Sequence, residues 1–403
     1  VASLLGAGDS DITLEVAVYP MLDQTVVRTA ALWKTLHPRV SVRVTSRPLI
    51  EHHRALAEGL ANGVGLPDVV GIEASYLSRF VALGGLEDLS EVHHADGPAQ
   101  RIAPFALPAA RNAAGALVAL PADVAPCVLF YRKDLLDRAG VGEAELATWD
   151  GLVEAGRRLR AATGVALLAH LGFLVDLRAR AEIPAGEGLY FDAGGAPRLR
   201  SPRFVAAFEL ARAARAANVD AGVDEDWSQR WIAALGGGAV AAEPCGCWLV
   251  GQLEDWIAPD TRGLWRTAPV PGGVHLGWGG SYYAIPKRTP NRDLAWEWMK
   301  FMCLDRRVQL GAFEHACAFP SLVDALDDPF LDEPLPFLGG QRARQQWRAE
   351  AAAIPAIPVH PLDTLAAGAV RSALRAVLEH GQDIGQALAE AERRVWRIVR
   401  EGS

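Results

Sequence analysis

The chain has 403 residues, half of them apolar and 22% charged, with a formal net charge of −8. That is too long for one compact core and points to two or three domains of globular, not disordered, composition. It has no basic run of five or more and no stretch of 18 apolar residues, so nucleic acid and anionic membrane are poor partners and no membrane-spanning helix is expected.

The opening "VASLLGAGDSD" lacks a basic n-region and a full apolar h-region. It is compatible with the remnant of a processed export signal or of an engineered N-terminus. "DITLEVAVY" (11–19) alternates like a strand entering a core. "QTVVRTAALWKTLHP" (24–38) reads as an amphipathic helix with Val27, Ala31 and Leu32 on one face, stopped by Pro38. "RVSVRVTS" (39–46) returns to period two. The chain therefore opens β-α-β, the unit of a parallel sheet. A helix over 52–63, a buried strand "PDVVGI" (67–72) and a helix closed by glycine (75–85) follow.

In "ALVALPADVAPCVLFYRKDLLDRAG" (116–140), Pro121 and Pro126 bracket four residues and are expected to end any regular element on either side. "CVLFY" is then a strand and "RKDLLDRAG" a helix. From 148 to 265 the pattern is mostly helical, with Thr148 and Ser201 as N-caps. Residues 236–253 read as a short strand, a loop and a helix start. "SYYAIPK" leads to a helix over 289–303. At the C-terminus Ile384, Leu388, Ala391, Val395 and Ile398 recur at helical spacing.

Five cysteines leave at least one thiol unpaired. Cys245 and Cys247 have the wrong spacing for a common zinc knuckle, and no metal is expected. Cys303 and Cys317 are the one disulfide candidate. In "HLGWGGSYYAIPK" (275–287), Gly279 and Gly280 stand between Trp278 and Ser281, where two adjacent glycines weaken a strand. They mark either a sharp turn or a place where something approaches the backbone.

Four segments, in order, carry a resemblance: "LWKTLHPRVSVRV", "LPDVVGIEASYLSRFVALGGLEDLS", "LPADVAPCVLFYRKDLLDRAGV" and "GGSYYAIPKRTPNRDLAWEWMKFM". Together they resemble the extracellular solute-binding proteins of ABC importers, in the sugar-binding group that includes maltose- and trehalose-binding proteins. The likeness covers about 20 to 400. It implies an α/β, two-lobe periplasmic-binding-protein fold of type II kind, each lobe a mainly parallel sheet flanked by helices. It also implies three interlobe crossings, near Pro121, Trp278 and Pro320. The N-terminal lobe would be 1–121 and 281–320, the other 122–280 and 321–403, with the ligand cleft between them.

The resemblance further implies a receptor, not an enzyme. It would take a mono- or oligosaccharide and deliver it by lobe closure to ABC permease subunits. Such a chain is expected to be exported to the periplasm, lipid-anchored or not, and monomeric, with no nucleic acid and no cofactor. Sugars are held by aromatic faces against ring C–H groups and by polar groups that satisfy hydroxyls. Carried over onto this sequence, the ligand positions are Asp23 and Gln24 in the loop after the first strand, Glu73 after the Pro-Asp-Val strand, Tyr76 on the next turn and Asp123 at the first crossing. In the "CGCW" loop they are Glu243 as a hydroxyl partner and Trp248 as the stacking residue, beside two cysteines that make the wall smaller and more apolar. The last group is Trp278, Gly279, Gly280, Ser281 and Tyr282. For each there is a plain structural alternative, such as a helix cap for Glu73, core packing for the aromatics and a β-bulge for the glycines.

The late proline-rich loop "AAIPAIPVHP" (352–361) has no Arg, where disaccharide-binding relatives often carry one. His360 is its nearest polar side chain. This weakens maltose, trehalose and phosphorylated ligands alike. A non-sugar polar metabolite such as a polyol or glycerol phosphodiester stays as the alternative. Glu73 and Asp123 could be read as a glycosidase pair, but no nucleophile elbow or P-loop accompanies them. Tyr282 and Tyr283 invite iron, but adjacent strand residues point to opposite faces.

Overall fold

The computed structural model describes residues 11–223 and 226–401. The opening segment up to Ser10 lies outside the described residues. Within them nine strands form: β1 (Ile12–Val18), β2 (Val40–Ser46), β3 (Val69–Glu73), β4 (Leu120–Val124), β5 (Cys127–Arg132), β6 (Ala242–Gly246), β7 (Trp265–Ala268), β8 (Ser281–Ala284) and β9 (Phe319–Pro320). They make two sheets, β2-β1-β3-β8-β4-β9 and β6-β5-β7. The chain divides into two compact units. Unit 1 runs to Val124 and adds Gly279–Ala325; unit 2 is Ala125–Trp278 and everything from Leu326.

In unit 1, β1 runs parallel to β2 and β3, and the helices α1 (Leu22–Leu36), α2 (Leu49–Asn62) and α3 (Ala74–Leu83) alternate with them. β8 enters antiparallel between β3 and β4. Asp68 fastens the returning chain to this sheet. Its carboxylate accepts from Glu15 N at 2.8 Å, from Asn291 Nδ2 at 3.2 Å and from the Thr289 hydroxyl. Buried Gln309 does the same for β4 and β9, donating to Ala122 O at 2.7 Å and accepting from Ser321 N at 2.9 Å.

Two elements differ from what the sequence predicts. The buried face of α1 is Leu22, Thr25, Val26, Thr29 and Trp33, whereas Val27, Ala31 and Leu32 are exposed, Val27 by 56%. Trp33 decides the rotation. Its indole packs edge-on against Trp298 at 5.4 Å and near Phe301 at 5.2 Å, and that aromatic area outweighs three small aliphatics. Pro121 does not end an element but lies inside β4. The ladder to β8 shifts register between Pro121 and Asp123, so the missing N–H falls at a bulge.

In unit 2, β5 is antiparallel to both β6 and β7, not part of a mainly parallel sheet. Parallel pairing is confined to short outer bridges, Ala166 with Val240 and Leu168 with Asp220. The helical crossovers feed those outer segments, while β5 arrives from the other direction and reverses the pairing. Thr148 caps its helix through Gly151 N at 3.1 Å, but Ser201 makes no side-chain cap bond. The core gathers Phe204, Phe208, Leu374, Leu388 and Val395, so the C-terminal helix Ile384–Glu401 docks by the stripe its periodicity announced. Arg132 of the "YRKDLL" segment is turned inward to a two-pronged pair with Asp134 at 2.8 and 2.9 Å. All five cysteines are thiols, so Cys303 and Cys317 are not bridged.

Candidate functional site

Unit 1 gathers polar groups at the end of its sheet. The register sets Ser281 of β8 opposite Glu73 of β3 on one side and Asp123 of β4 on the other. The Tyr19 hydroxyl, just past β1, donates to Ser281 Oγ at 2.9 Å. Burial pushes the Asp123 carboxyl up to about 7, opposed by hydrogen bonds from Ser281 and reinforced by the charge of Glu73. Its Oδ1 is buried with no partner in the chain. Burial also raises Glu73, against the hydrogen bonds from Ser75. At such a value Asp123 can both accept from and donate to a hydroxyl near neutral pH. The charge acting on it is another carboxylate, not a cation.

Two histidines of α2 set the position of Glu73. His53 Nδ1–H donates to Leu49 O at 2.7 Å and Nε2 accepts from Glu73 N at 3.1 Å, which fixes the neutral tautomer. Burial lowers its pKa to about 4. Its ring stacks on Tyr76 at 4.0 Å. His52 Nε2–H donates to Gly71 O at 2.7 Å. Glu73 itself caps α3, accepting from Ser75 N at 3.0 Å and from the Ser75 hydroxyl.

Not every expected residue joins this cluster. Asp23 and Gln24 lie in the first turn of α1, not in a loop, because the helix starts at Leu22 after a sharp turn at Met21. Asp23 is occupied locally, accepting from Met21 N at 3.1 Å and Ser46 Oγ at 2.7 Å. Tyr282 alternates away from Ser281, is 6% exposed, and gives its hydroxyl to Ala106 O at 2.8 Å. Gly279 and Gly280 have φ of 86° and 100°, a backbone that side chains rarely adopt. The turn therefore requires them, whatever else approaches, and Gly280 O accepts from Ala74 N at 3.0 Å.

Unit 2 presents indoles over a buried carboxylate. Glu243 is on strand β6, not in the loop, and is 4% exposed. Burial pushes it up to about 8, helped by Asp226 and opposed by His170. His170 Nε2–H donates to Asp226 at 2.6 Å while its Nδ1 accepts from Gly172 N at 3.1 Å. Burial would lower His170, but Asp226 outweighs it and the net shift is upward. Trp248 follows β6 and donates Nε1–H to Trp278 O at 3.0 Å. Trp278 packs edge-on against Phe173 at 4.0 Å. Gly246 permits this closeness: a Cβ there would lie 2.3 Å from Trp248 Nε1 and 2.6 Å from Trp278 O.

Trp227 completes the surface, stacked on Trp248 at 5.4 Å and leaning on Trp231 at 4.9 Å. In the late proline-rich loop, His360 is stacked on Phe191 at 3.9 Å. Sequence reading missed Tyr19, His52, His53, His170, Asp226 and Trp227. The doublet "HH" and the acidic run before Trp227 are the only local signals.

One unit carries buried carboxylates and hydroxyls at the end of its sheet, and the other a cluster of indoles. The family of bacterial extracellular solute-binding proteins matches residues 35–333, and the chain belongs to it. Members of this family are exported binding proteins. The chain is 25% identical over 357 residues to a lactose-binding protein of Rhizobium radiobacter, covering 84% of this chain and 81% of that one. It is 24% identical over 295 residues to an arabinooligosaccharide-binding protein of Bacillus subtilis (strain 168), covering 69% and 66%. A crystal structure of an extracellular solute-binding protein of family 1 superposes with a TM-score of 0.82 at 23% identity, over 95% of this chain and 98% of that one. Among the described residues no helix is long and apolar enough to cross a membrane, and no group of His, Cys, Asp and Glu is arranged to hold a metal ion.

Proposed function

We propose that this chain is the sugar receptor of an ABC-type importer, acting in the periplasm as a monomer, lipid-anchored or not. The observation that carries the reading is Asp123. One buried oxygen lacks a protein partner, hydroxyls of Ser281 and Tyr19 stand nearby, and the neighbouring charge is negative. A neutral polyhydroxyl ligand supplies the missing hydrogen bond without bringing further negative charge. A phosphodiester would want Arg or Lys. The indoles of unit 2 suit the apolar faces of a pyranose or furanose ring. The names of the relatives, lactose and arabinooligosaccharide binders, point the same way.

In this reading ligand capture shifts the protein to the form that the permease accepts. No bond is made or broken in the ligand. Thermal unfolding against mono-, di- and oligosaccharides, polyols and glycerol phosphodiesters tests it. A ligand at about a hundredfold over its dissociation constant adds about 2.7 kcal/mol. A saccharide that raises the melting temperature of the native chain but not of Asp123→Ala supports the reading. A shift with a phosphodiester and none with any sugar overturns it.

A further inference from the structure

His52 and His53, adjacent on α2, are each 2% exposed, although an imidazole is costly to bury unless its nitrogens are paired. What they pair with is the end of β3. Strand β1 is in register with β3 only at Val69 and Val70. Just beyond, Gly71 O accepts from His52 Nε2–H at 2.7 Å, and Glu73 N–H donates to His53 Nε2 at 3.1 Å. The two rings stand at 90° to each other, 5.0 Å apart, so one gives a hydrogen bond and the other takes one along the same strand.

His53 has no nitrogen left for a ligand. Its Nδ1–H is committed to Leu49 O at 2.7 Å, within its own helix. Its ring lies flat on Tyr76, 4.0 Å away at 12°, and Tyr19 leans on both imidazoles at 5.6 Å. A leucine would pack against the same aromatic rings, but it would leave the Glu73 N–H without this acceptor. Glu73 closes β3 and caps α3, so the direction of its carboxylate follows the main chain at this one residue.

We propose that His53 is a positioning residue for ligand binding: without touching the ligand, its Nε2 holds the Glu73 main chain and thereby aims the Glu73 carboxylate. The inference rests on the sugar reading above, with Glu73 as a ligand group.

The test is calorimetric titration with lactose, maltose and arabinobiose. His53→Gln carries an amide oxygen to the place of Nε2, His53→Asn only to that of Nδ1, and His53→Phe keeps a ring against Tyr76 with no acceptor. His53→Phe and His53→Asn are expected to bind the best sugar about tenfold more weakly, the scale of one misaimed hydrogen bond to a charged group, and His53→Gln within about threefold of the native chain. In Glu73→Ala, itself a weaker binder, adding His53→Phe should change affinity less than about twofold, because the group it aims is gone. A purely structural histidine would lower the melting temperature in both backgrounds and show no such coupling. Native affinity in His53→Phe overturns the proposal, as does the same loss with and without the Glu73 carboxylate. If His53→Phe does not fold, Asn against Gln decides: equal affinities overturn the proposal, and the expected order supports it. Native binding by Glu73→Ala sinks the proposal and leaves the sugar reading standing; a native chain that binds no saccharide sinks both.

Discussion

The two units display different chemistry. Unit 1 contributes direction: Glu73, Asp123, Ser281 and Tyr19 stand at fixed places because neighbouring strands hold them in register. Unit 2 contributes area: the stacked indoles of Trp227 and Trp248 are backed by the buried ring of Trp231. A hydrogen-bonding array tolerates little displacement, and a sheet end supplies that stiffness. An aromatic face tolerates sliding, so it can rest on the loop before a helix. Orientation is thus built on strands, and contact area on segments that can vary without disturbing a ladder.

The sharpest way to break this contrast is to remove one member from each side. Asp123→Ala should weaken the best saccharide about a hundredfold, as expected for a hydrogen bond to a charged group of about 1.5–3 kcal/mol. The loss should be much the same for every sugar bearing the matching hydroxyl. Equal losses for Asp123→Ala and Trp227→Ala across all sugars, measured by titration, would erase the distinction.

The next effect is on stability. Gly246→Ala places a methyl against Trp248 Nε1 and Trp278 O, and should cost about 2 kcal/mol, read as a lowered denaturant midpoint. In unit 1, Ser281→Ala adds no bulk but removes the acceptor of the Tyr19 hydroxyl, and should cost about 1 kcal/mol.

Acidity separates the units further. Asp123 holds its proton to about 7 and Glu243 to about 8, well above the ordinary carboxylate range. Between the ordinary and raised values the folded chain binds a proton that the unfolded chain has released. Each group therefore lowers stability as pH rises through its window, and the full penalty stands above it. Asp123→Asn and Glu243→Gln should each melt a few degrees higher than the native chain at pH 8.5, with the difference vanishing by pH 4. The Glu243→Gln gain should keep growing to a higher pH than that of Asp123→Asn. Scanning calorimetry across pH checks the order. The smallest effect is expected on the outer face of α1, where Val27→Ser should change stability by less than about 0.5 kcal/mol.

Much of the fold was legible because period and punctuation are local. β1, α1, β2 and the C-terminal helix each announce themselves within about fifteen residues. What resisted depends on distant partners. The face of α1 is chosen by Trp33 meeting Trp298, far along the chain. Pro121 survives inside β4 because of a bulge that only pairing with β8 reveals. β5 is antiparallel because of where β6 and β7 arrive. At the candidate site, residue types such as Asp123, Glu73 and Trp248 were readable through the family resemblance. Tyr19 and His53 were not, since they matter only through contacts to Ser281 and Glu73. Trp227 escaped because its contacts with Trp231 and Trp248 are set by the fold, which composition does not encode.

The unbridged cysteines carry one further consequence. Cys127 and Cys245 lie deep in unit 2 and Cys303 deep in unit 1. Burial pushes the pKa of all three thiols well above the ordinary thiol value, and the thiolate is the reactive form. An alkylating reagent should therefore meet them only when the surrounding structure opens. Each half of the chain carries its own internal clock, and a timed labelling pulse followed by mass spectrometry would read how often each one opens.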